Sequence, residues 1–484
     1  MGEKEKQLYW QKILFCLFAI GLYAGLRVGN FAGNDLWSDE VFSVFTARLD
    51  WTAMFAALIN DAVHPPLFYI LLKSWILLGG ESVAWLRLFP IIVSILTLLP
   101  LYLLCRQLNL TLFESSVAVV LIAVNGFFLD YAFDLRMYGL VQLLTLSSLW
   151  LFAKFNRSSA KSQNTLIALC IVNSLLVFTH YFGWLIISLE CFYLIVRRRN
   201  RLKEFLFGVL PIFLLFLPWA LTVIQAVSQR ENFENLDWLT RPGFRELIWF
   251  YATLNGIGAA HTTLIGMCVF GLPILIWSWR VRRQADLKET WSFLFFFAFA
   301  PVLLVFLLSN LLPKSIWEER YLIVSAAPYL LLAVKSASEL PLSRYSRIFP
   351  AFILIWALTT AVYQFSSETG KIKWSEVTHA IEQGNQAPNK IYVFESFVDL
   401  PLRFYLNRAD KFQVEIVRNA DQIKEKSFQL VVRGSAWRET ESASKILKDK
   451  GCRINLEKDF FAPREKVTLF QVDGCSLIDY AIQE

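Results

Sequence analysis

Ionisable residues interrupt the apolar stretches of this sequence at only a few places, and those places are where chemistry can occur. The most conspicuous is an acidic pair, Asp39-Glu40, in Leu36-Trp37-Ser38-Asp39-Glu40, directly after the first apolar stretch. Carboxylates at the edge of a bilayer are costly to bury and make poor headgroup anchors, so they are functional hypotheses by default. One acid of such a pair can serve as general base toward a hydroxyl while the other orients it or the acceptor. Consecutive residues on a helix point about 100° apart, so the two acids cannot share one role. The competing reading is a solvated turn that starts a helix near Val41, because acids favour helix N-termini.

Further candidates follow along the chain. His64-Pro65-Pro66-Leu67 reads as a cavity-lining histidine, as a metal ligand with Glu40, or as a plain helix-entry turn. In Phe133-Asp134-Leu135-Arg136-Met137-Tyr138, Asp134 and Arg136 are either interfacial anchors or a supporting ion pair, with Tyr138 one turn from Asp134 on the same face. Thr179-His180-Tyr181-Phe182 falls in a tight turn between two apolar stretches, as a cavity wall or a buried, hydrogen-bonded histidine. Trp317-Glu318-Glu319-Arg320-Tyr321 opens a helix; Arg320 either snorkels to headgroups or grips a phosphate with its planar fork of donors. No nucleotide or phosphate-loop motif occurs. No cofactor is assigned from the sequence, and a divalent metal stays open.

These residues need apolar helices to position them, and composition supplies those. Of 484 residues, 56% are hydrophobic and 15% aromatic, with a mean hydropathy of +0.46. That balance places the chain in the membrane class. Spans of roughly 20 apolar residues cross a bilayer as helices, and about eleven are expected, near residues 13–30, 84–105, 112–130, 137–154, 164–180, 181–197, 205–227, 262–280, 290–310, 321–338 and 347–365. Two short helices at the membrane edge are expected near 51–60 and 65–78, with Lys73 favouring an interfacial position for the second. Another, half buried, is expected near 244–255.

The net charge of +7 is not a nucleic-acid signal, because the basic residues cluster in short loops between apolar runs. Arg106, Lys154, Arg157, Arg197–Arg199, Arg201, Arg280, Arg282, Arg283, Arg344 and Arg347 fall on alternate loops, so a single topology keeps nearly all of them cytoplasmic. It places the N-terminus inside. Asp39, Glu40, His64, Arg87, Asp130, Asp134, Arg136, His180, Glu318, Glu319 and Arg320 then gather at the outer ends of the helices. The first stretch has no small-x-small cleavage site and is expected to remain as a helix.

From about residue 366 the composition changes to alternating strand-like runs (near 390–395, 413–417, 428–433 and 466–472) and helical ones (near 374–383, 400–406 and 439–448). A small extracytoplasmic α/β domain over 366–484 is expected, after a membrane domain over 1–365 whose first outer loop spans 31–83. Of the seven cysteines, Cys452 and Cys475 lie in this tail, where a disulfide can form outside the cytoplasm.

Leu36-Trp37-Ser38-Asp39-Glu40, Ala47-Arg48, His64-Pro65-Pro66-Leu67, Leu86-Arg87-Leu88, Arg136-Met137-Tyr138, Thr179-His180-Tyr181 and Glu319-Arg320-Tyr321 together resemble the GT-C membrane glycosyltransferases. The likeness is to their glycosyltransferase family 39-like group, which includes protein O-mannosyltransferases and the aminoarabinose transferases of lipid A. It covers about residues 10–365, and its first two motifs are the specific ones. The resemblance implies a sugar moved from a polyprenyl-phosphate donor to a hydroxyl of a lipid, glycan or protein acceptor outside the cytoplasmic membrane. It implies Asp39 as the base, with Glu40 beside it. Arg320 and Arg136 would meet the phosphate, and Asp134, Tyr138, His64, His180, Tyr181, Glu319 and Tyr321 would line the substrate site. The tail departs from the carbohydrate-binding domains of eukaryotic protein mannosyltransferases.

Two other classes compete. A transporter or flippase of lipid-linked sugars would carry charge along a crossing path and bind near the midplane, whereas these acids gather at one face. In a membrane scaffold the acidic pair would be incidental.

Overall fold

The computed structural model describes residues 3–29, 35–158, 163–229, 239–256, 260–281, 285–340, 348–366, 371–383, 388–394, 398–406, 411–417, 422–434, 443–445, 447–448, 451–462 and 465–475. The chain forms two compact units, one of Met1–Phe31 with Thr46–Ser366 and one of Ala32–Phe45 with Ser367–Glu484. The segment carrying the acidic pair therefore groups with the C-terminal residues. Arg282, Arg283, Arg344, Arg347 and half of the helix expected over 439–448 lie outside the described residues.

The first unit is helical. α1 (Glu3–Gly29) is followed by α2 (Ser38–Arg48), which runs in from the other unit, then α3 (Trp51–Asp61) and α4 (Leu67–Gly79). Asp50 caps α3 by accepting the Ala53 N–H at 2.9 Å. Lys73 is buried, and its ammonium donates to Ala47 O at 3.2 Å and to Leu49 O at the end of α2. Those carbonyls lack helical partners, which is why an apolar helix tolerates the charge.

α4 is locked to α5 (Val83–Leu96) by Trp75 and Trp85, stacked at 4.3 Å. Each indole N–H donates to the other residue's carbonyl, at 2.8 and 2.9 Å. A Cβ on Gly79 would stand 2.1 Å from the Trp85 ring, so glycine is what admits the stack.

α5 and α6 (Leu98–Gln107) make one span. The next expected span is broken instead: α7 (Leu112–Val124) and α8 (Gly126–Phe133) meet at 64°. Asn125 at the break is extended, and its amide donates to Leu254 O at 2.8 Å, which holds the bend. Glycine after asparagine weakens helix continuity there. Then come α9 (Tyr138–Arg157), α10 (Gln163–Thr179), α11 (Phe182–Arg197), α12 (Arg199–Ser228), α13 (Phe244–Leu254), α14 (Ala260–Val281) and α15 (Ala285–Leu311). A 3₁₀ turn (Glu319–Leu322), α16 (Ile323–Ser338) and α17 (Ile348–Ser366) complete the unit.

Among the described residues seven helices are long and apolar enough to cross a membrane, or eight if the bent pair is one span. Three of the eleven expected spans correspond to helices that do not meet that measure, α10, α11 and α17. Polar contacts tie the bundle where apolar packing gives little direction. Ser148 Oγ lies 2.6 Å from Asn173 Oδ1 and 2.7 Å from Glu190 Oε1, and Asn173 Nδ2 donates to Glu190 Oε2 at 2.9 Å, joining α9, α10 and α11. Lys335 in α16 pairs with Glu114 at 3.1 Å, while Glu114 closes a capping box on α7 with Thr111.

Among the described residues, the C-terminal part of the second unit holds a five-stranded mixed sheet and two helices. In chain order they are α18 (Trp374–Glu382), β1 (Lys390–Phe394), α19 (Asp399–Tyr405), β2 (Gln413–Val417), β3 (Phe428–Gly434), β4 (Arg453–Ala462) and β5 (Glu465–Asp473). The sheet order is β2-β1-β3-β5-β4, with β1 parallel to β2 and β3, and β5 antiparallel to β3 and β4. β4 was not expected from sequence. It is an edge strand whose charged residues, such as Arg453, Glu457 and Lys458, suppress the apolar alternation and discourage edge-to-edge pairing. A disulfide joins Cys452 and Cys475.

Candidate functional site

Within the first unit, the α3–α4 connection brings His64 to the loop between α8 and α9. His64 is 7% exposed and Arg136 is 4% exposed. Asp61 Oδ2 lies 2.7 Å from His64 Nδ1, and Arg136 Nη2 lies 3.0 Å from His64 Nε2. A guanidinium can only donate, so Nε2 must be the acceptor and Nδ1 carries the proton shared with Asp61. The carboxylate thus orients the ring, and the ring orients the arginine. Both ring nitrogens are occupied, which leaves His64 no lone pair for a metal; no cluster of three metal-ligating side chains occurs among the described residues.

The loop that carries Arg136 is held by Arg87, a buried residue of α5, whose Nη1 donates to Phe133 O at 2.7 Å at the end of α8. Asp134, buried, is extended and precedes α9. It therefore does not share a helical face with Tyr138, contrary to the expectation of one continuous turn.

Tyr138, His180, Tyr321 and Arg320 gather beside this loop. The His180 ring stands edge-on to Tyr321 at 4.8 Å and 6.5 Å from Tyr138. The Arg320 guanidinium lies 5.7 Å from the Tyr138 ring centre and 3.3 Å from Glu318. His180 occupies the turn between α10 and α11, outside the spanning segments, and its Nδ1 accepts the Phe182 N–H at 3.1 Å. Its Nε2 is therefore the protonated nitrogen. Burial pushes the imidazole down to about 3, and the nearby Arg136 and Arg320 push the same way. At neutral pH it is an uncharged donor. Glu319 begins the 3₁₀ turn that presents Arg320.

Tyr181 lies beside an apolar cleft of about 490 Å³ whose lining includes Phe55, Ile59, Pro66, Phe178, Trp219 and Thr222. The Trp219 indole donates to the Tyr181 hydroxyl at 3.4 Å. Ile59 and Pro66 of the lining are chain neighbours of Asp61 and His64. Sequence reasoning missed Asp61, whose signal was its i, i+3 spacing from His64 at the end of a helix.

The acidic pair belongs to the other unit, in the first turn of α2. Glu40 is fully buried, and its Oε2 accepts the Trp37 N–H at 3.0 Å, which secures the helix start. Asp39 is only partly buried. The pair has divided: one carboxylate caps, the other keeps solvent access.

Among these residues are donors suited to an anion, beside an apolar cleft, on a multi-span membrane scaffold that carries a small α/β unit in the same chain. The class this fold defines is the GT-C membrane glycosyltransferase fold. ArnT from Cupriavidus metallidurans in the apo state matches with a TM-score of 0.55 at 12% identity, over 96% of this chain and 98% of that one. The same enzyme bound to undecaprenyl phosphate matches with a TM-score of 0.53 at 11% identity, over 95% and 97%. The Archaeoglobus fulgidus oligosaccharyltransferase in the apo form matches with a TM-score of 0.52 at 16% identity, over 82% of this chain and 64% of that one. By sequence, no family model and no curated protein matches the chain. The likeness is one of fold.

Proposed function

We propose that this protein is an integral membrane glycosyltransferase that moves a sugar from a polyprenyl-phosphate donor to an acceptor hydroxyl on the extracytoplasmic side. The observation that carries this reading is the buried Arg136 oriented by His64, since a phosphate headgroup asks for a fixed guanidinium, on a scaffold that also holds an apolar cleft suited to an isoprenoid tail. A neighbour of the same fold binds undecaprenyl phosphate, which supports a donor of that class. The Cys452–Cys475 disulfide supports an extracytoplasmic C-terminal unit, because disulfides persist in oxidising compartments.

In this reading Asp39 takes the proton of the acceptor hydroxyl as its oxygen attacks the anomeric carbon. Arg136 and Arg320 stabilise the charge that develops on the departing phosphate. The phosphate leaves without protonation, so one base suffices for a single inverting displacement. This differs from the paired carboxylates of glycoside hydrolysis.

Substitution tests the assignment. Asp39→Asn should reduce transfer about 10²- to 10⁴-fold, the usual contribution of a general base, while undecaprenyl phosphate binds as before. Glu40→Gln keeps an acceptor for the Trp37 N–H and should retain most activity. Equal turnover by Asp39→Asn and wild type would overturn the role of Asp39.

A further inference from the structure

The acidic pair is bracketed by contacts to residues more than three hundred positions away in the chain. The Leu36 N–H donates to the Tyr405 hydroxyl at 2.6 Å. The Ser375 N–H, in the first turn of α18, donates to Asp35 Oδ2 at 2.6 Å. The Lys371 ammonium stands 4.8 Å from the Trp37 ring centre, and beyond the pair Phe45 packs on Phe404 at 6.3 Å. All of these residues belong to the second compact unit.

The far side of each contact is itself fixed. Tyr405 and Phe404 end α19, whose Leu402 is fully buried in the core of the sheet. Arg403 of α19 pairs with Asp399 at 3.1 Å and donates to Val414 O in β2 at 2.7 Å. Ser375 is flanked by Trp374 and Val377, both within that core. Leu36 is fully buried, so its amide has no water to replace the tyrosine hydroxyl.

From this geometry we infer that the α/β part of the second unit is the device that positions Asp39. Tyr405 and Asp35 are positioning residues. They fix the backbone entering α2, and with it the direction in which the first-turn carboxylate is presented. The inference rests on the reading of Asp39 as the base. A displacement of about 1 Å in a reacting group can cost 10²-fold in rate, which gives a chain reason to tie this loop to a folded domain.

The test uses the full-length protein in lipid nanodiscs, with Tyr405→Phe, Asp35→Ala, Asp35→Asn and Asp39→Asn. Amide hydrogen exchange of peptides spanning 36–45 reports the clamp, with peptides from α16 as control. Turnover is read as release of undecaprenyl phosphate from undecaprenyl-phosphate hexose and pentose donors. Tyr405→Phe and Asp35→Ala should speed exchange over 36–45 about tenfold or more, a local opening in a fold that is otherwise unchanged. Their kcat should fall about tenfold with KM for the donor within about twofold, since orientation and not binding is lost. Asp35→Asn keeps an acceptor oxygen and should rescue both readouts. Unchanged exchange in both Tyr405→Phe and Asp35→Ala, or faster exchange with unchanged kcat, overturns the positioning role. Full turnover by Asp39→Asn removes instead the reading on which it rests, and is told apart because exchange still responds to Tyr405→Phe.

Discussion

Arg136 shows how one side chain acquires a task through its neighbours. Alone it is an arginine at a helix end, free to snorkel. With His64 accepting from one nitrogen and Asp61 holding the ring, its guanidinium is fixed in place. Arg136→Gln should raise the Kd for undecaprenyl phosphate. A hydrogen bond to a charged group is worth ~1.5–3 kcal/mol, or about 10- to 150-fold in affinity. Isothermal titration in nanodiscs measures it, and an unchanged Kd would remove Arg136 from the donor site. His180 supplies a pH test. Its imidazole titrates at about 3 in the fold, below its value in an unfolded chain, so the unfolded state binds the extra proton between those values. Stability is fully present above about pH 6.5 and is lost as pH falls toward 3. From pH 7 to 5 this one residue should cost about 2 kcal/mol. His180→Gln should flatten the fall of the thermal midpoint over that interval; a parallel curve would refute the assignment.

At the scale of elements, the site depends on where helices stop. The α7–α8 bend and the extended link after α8 deliver Asp134 and Arg136, and Arg87 caps that link. The α10–α11 turn is as tight as the backbone allows. A Cβ on Gly183 would stand 2.7 Å from Val177 N and 2.8 Å from Leu176 C, which are backbone atoms that cannot swing aside. Gly183→Ala should therefore destabilise the protein by about 1–3 kcal/mol, as overpacking does, and displace the His180 turn. A lowered thermal midpoint together with a changed environment of His180 is the expected result, and wild-type behaviour in both would contradict it. Periodicity and length made the apolar segments, the short helices α3, α4 and α13, and four of the strands legible in the sequence. The bend at Asn125, the buried position of Lys73 and the edge strand β4 were not legible. The first two depend on partners elsewhere in the chain, Leu254 for Asn125 and the end of α2 for Lys73, whereas β4 pairs with the adjacent β5 and was hidden by charged residues that break its apolar alternation.

For the whole molecule, sidedness is the proposal most open to direct measurement. If the second unit lies outside the cytoplasm, a membrane-impermeant phosphine applied to right-side-out vesicles should reduce Cys452–Cys475, while inverted vesicles stay protected until permeabilised. Mass labelling of the freed thiols reads the outcome, and the opposite protection pattern would reverse the topology. The compact units also cut across chain order. Ala32–Phe45 groups with residues beyond 366, although composition alone assigns it to the first outer loop of the membrane domain.

The sequence by itself determined that the chain is an apolar, many-helix protein with a polar tail, and it picked out Asp39, His64, Arg136, His180 and Arg320 as candidates for chemistry. Burial cost is local, so ionisable groups stand out against apolar surroundings without knowledge of the fold. Only the tertiary structure decided how those residues divide their work. Glu40 became a cap, Asp61 and His64 became the support for Arg136, and the acidic segment became part of the unit that holds Tyr405. The physical reason is the short range of hydrogen bonds. A donor finds its acceptor within about 3 Å; Glu40 and Asp61 meet their partners three residues away, whereas the approach of His64 to Arg136 and of Leu36 to Tyr405 is set by packing that no local pattern encodes.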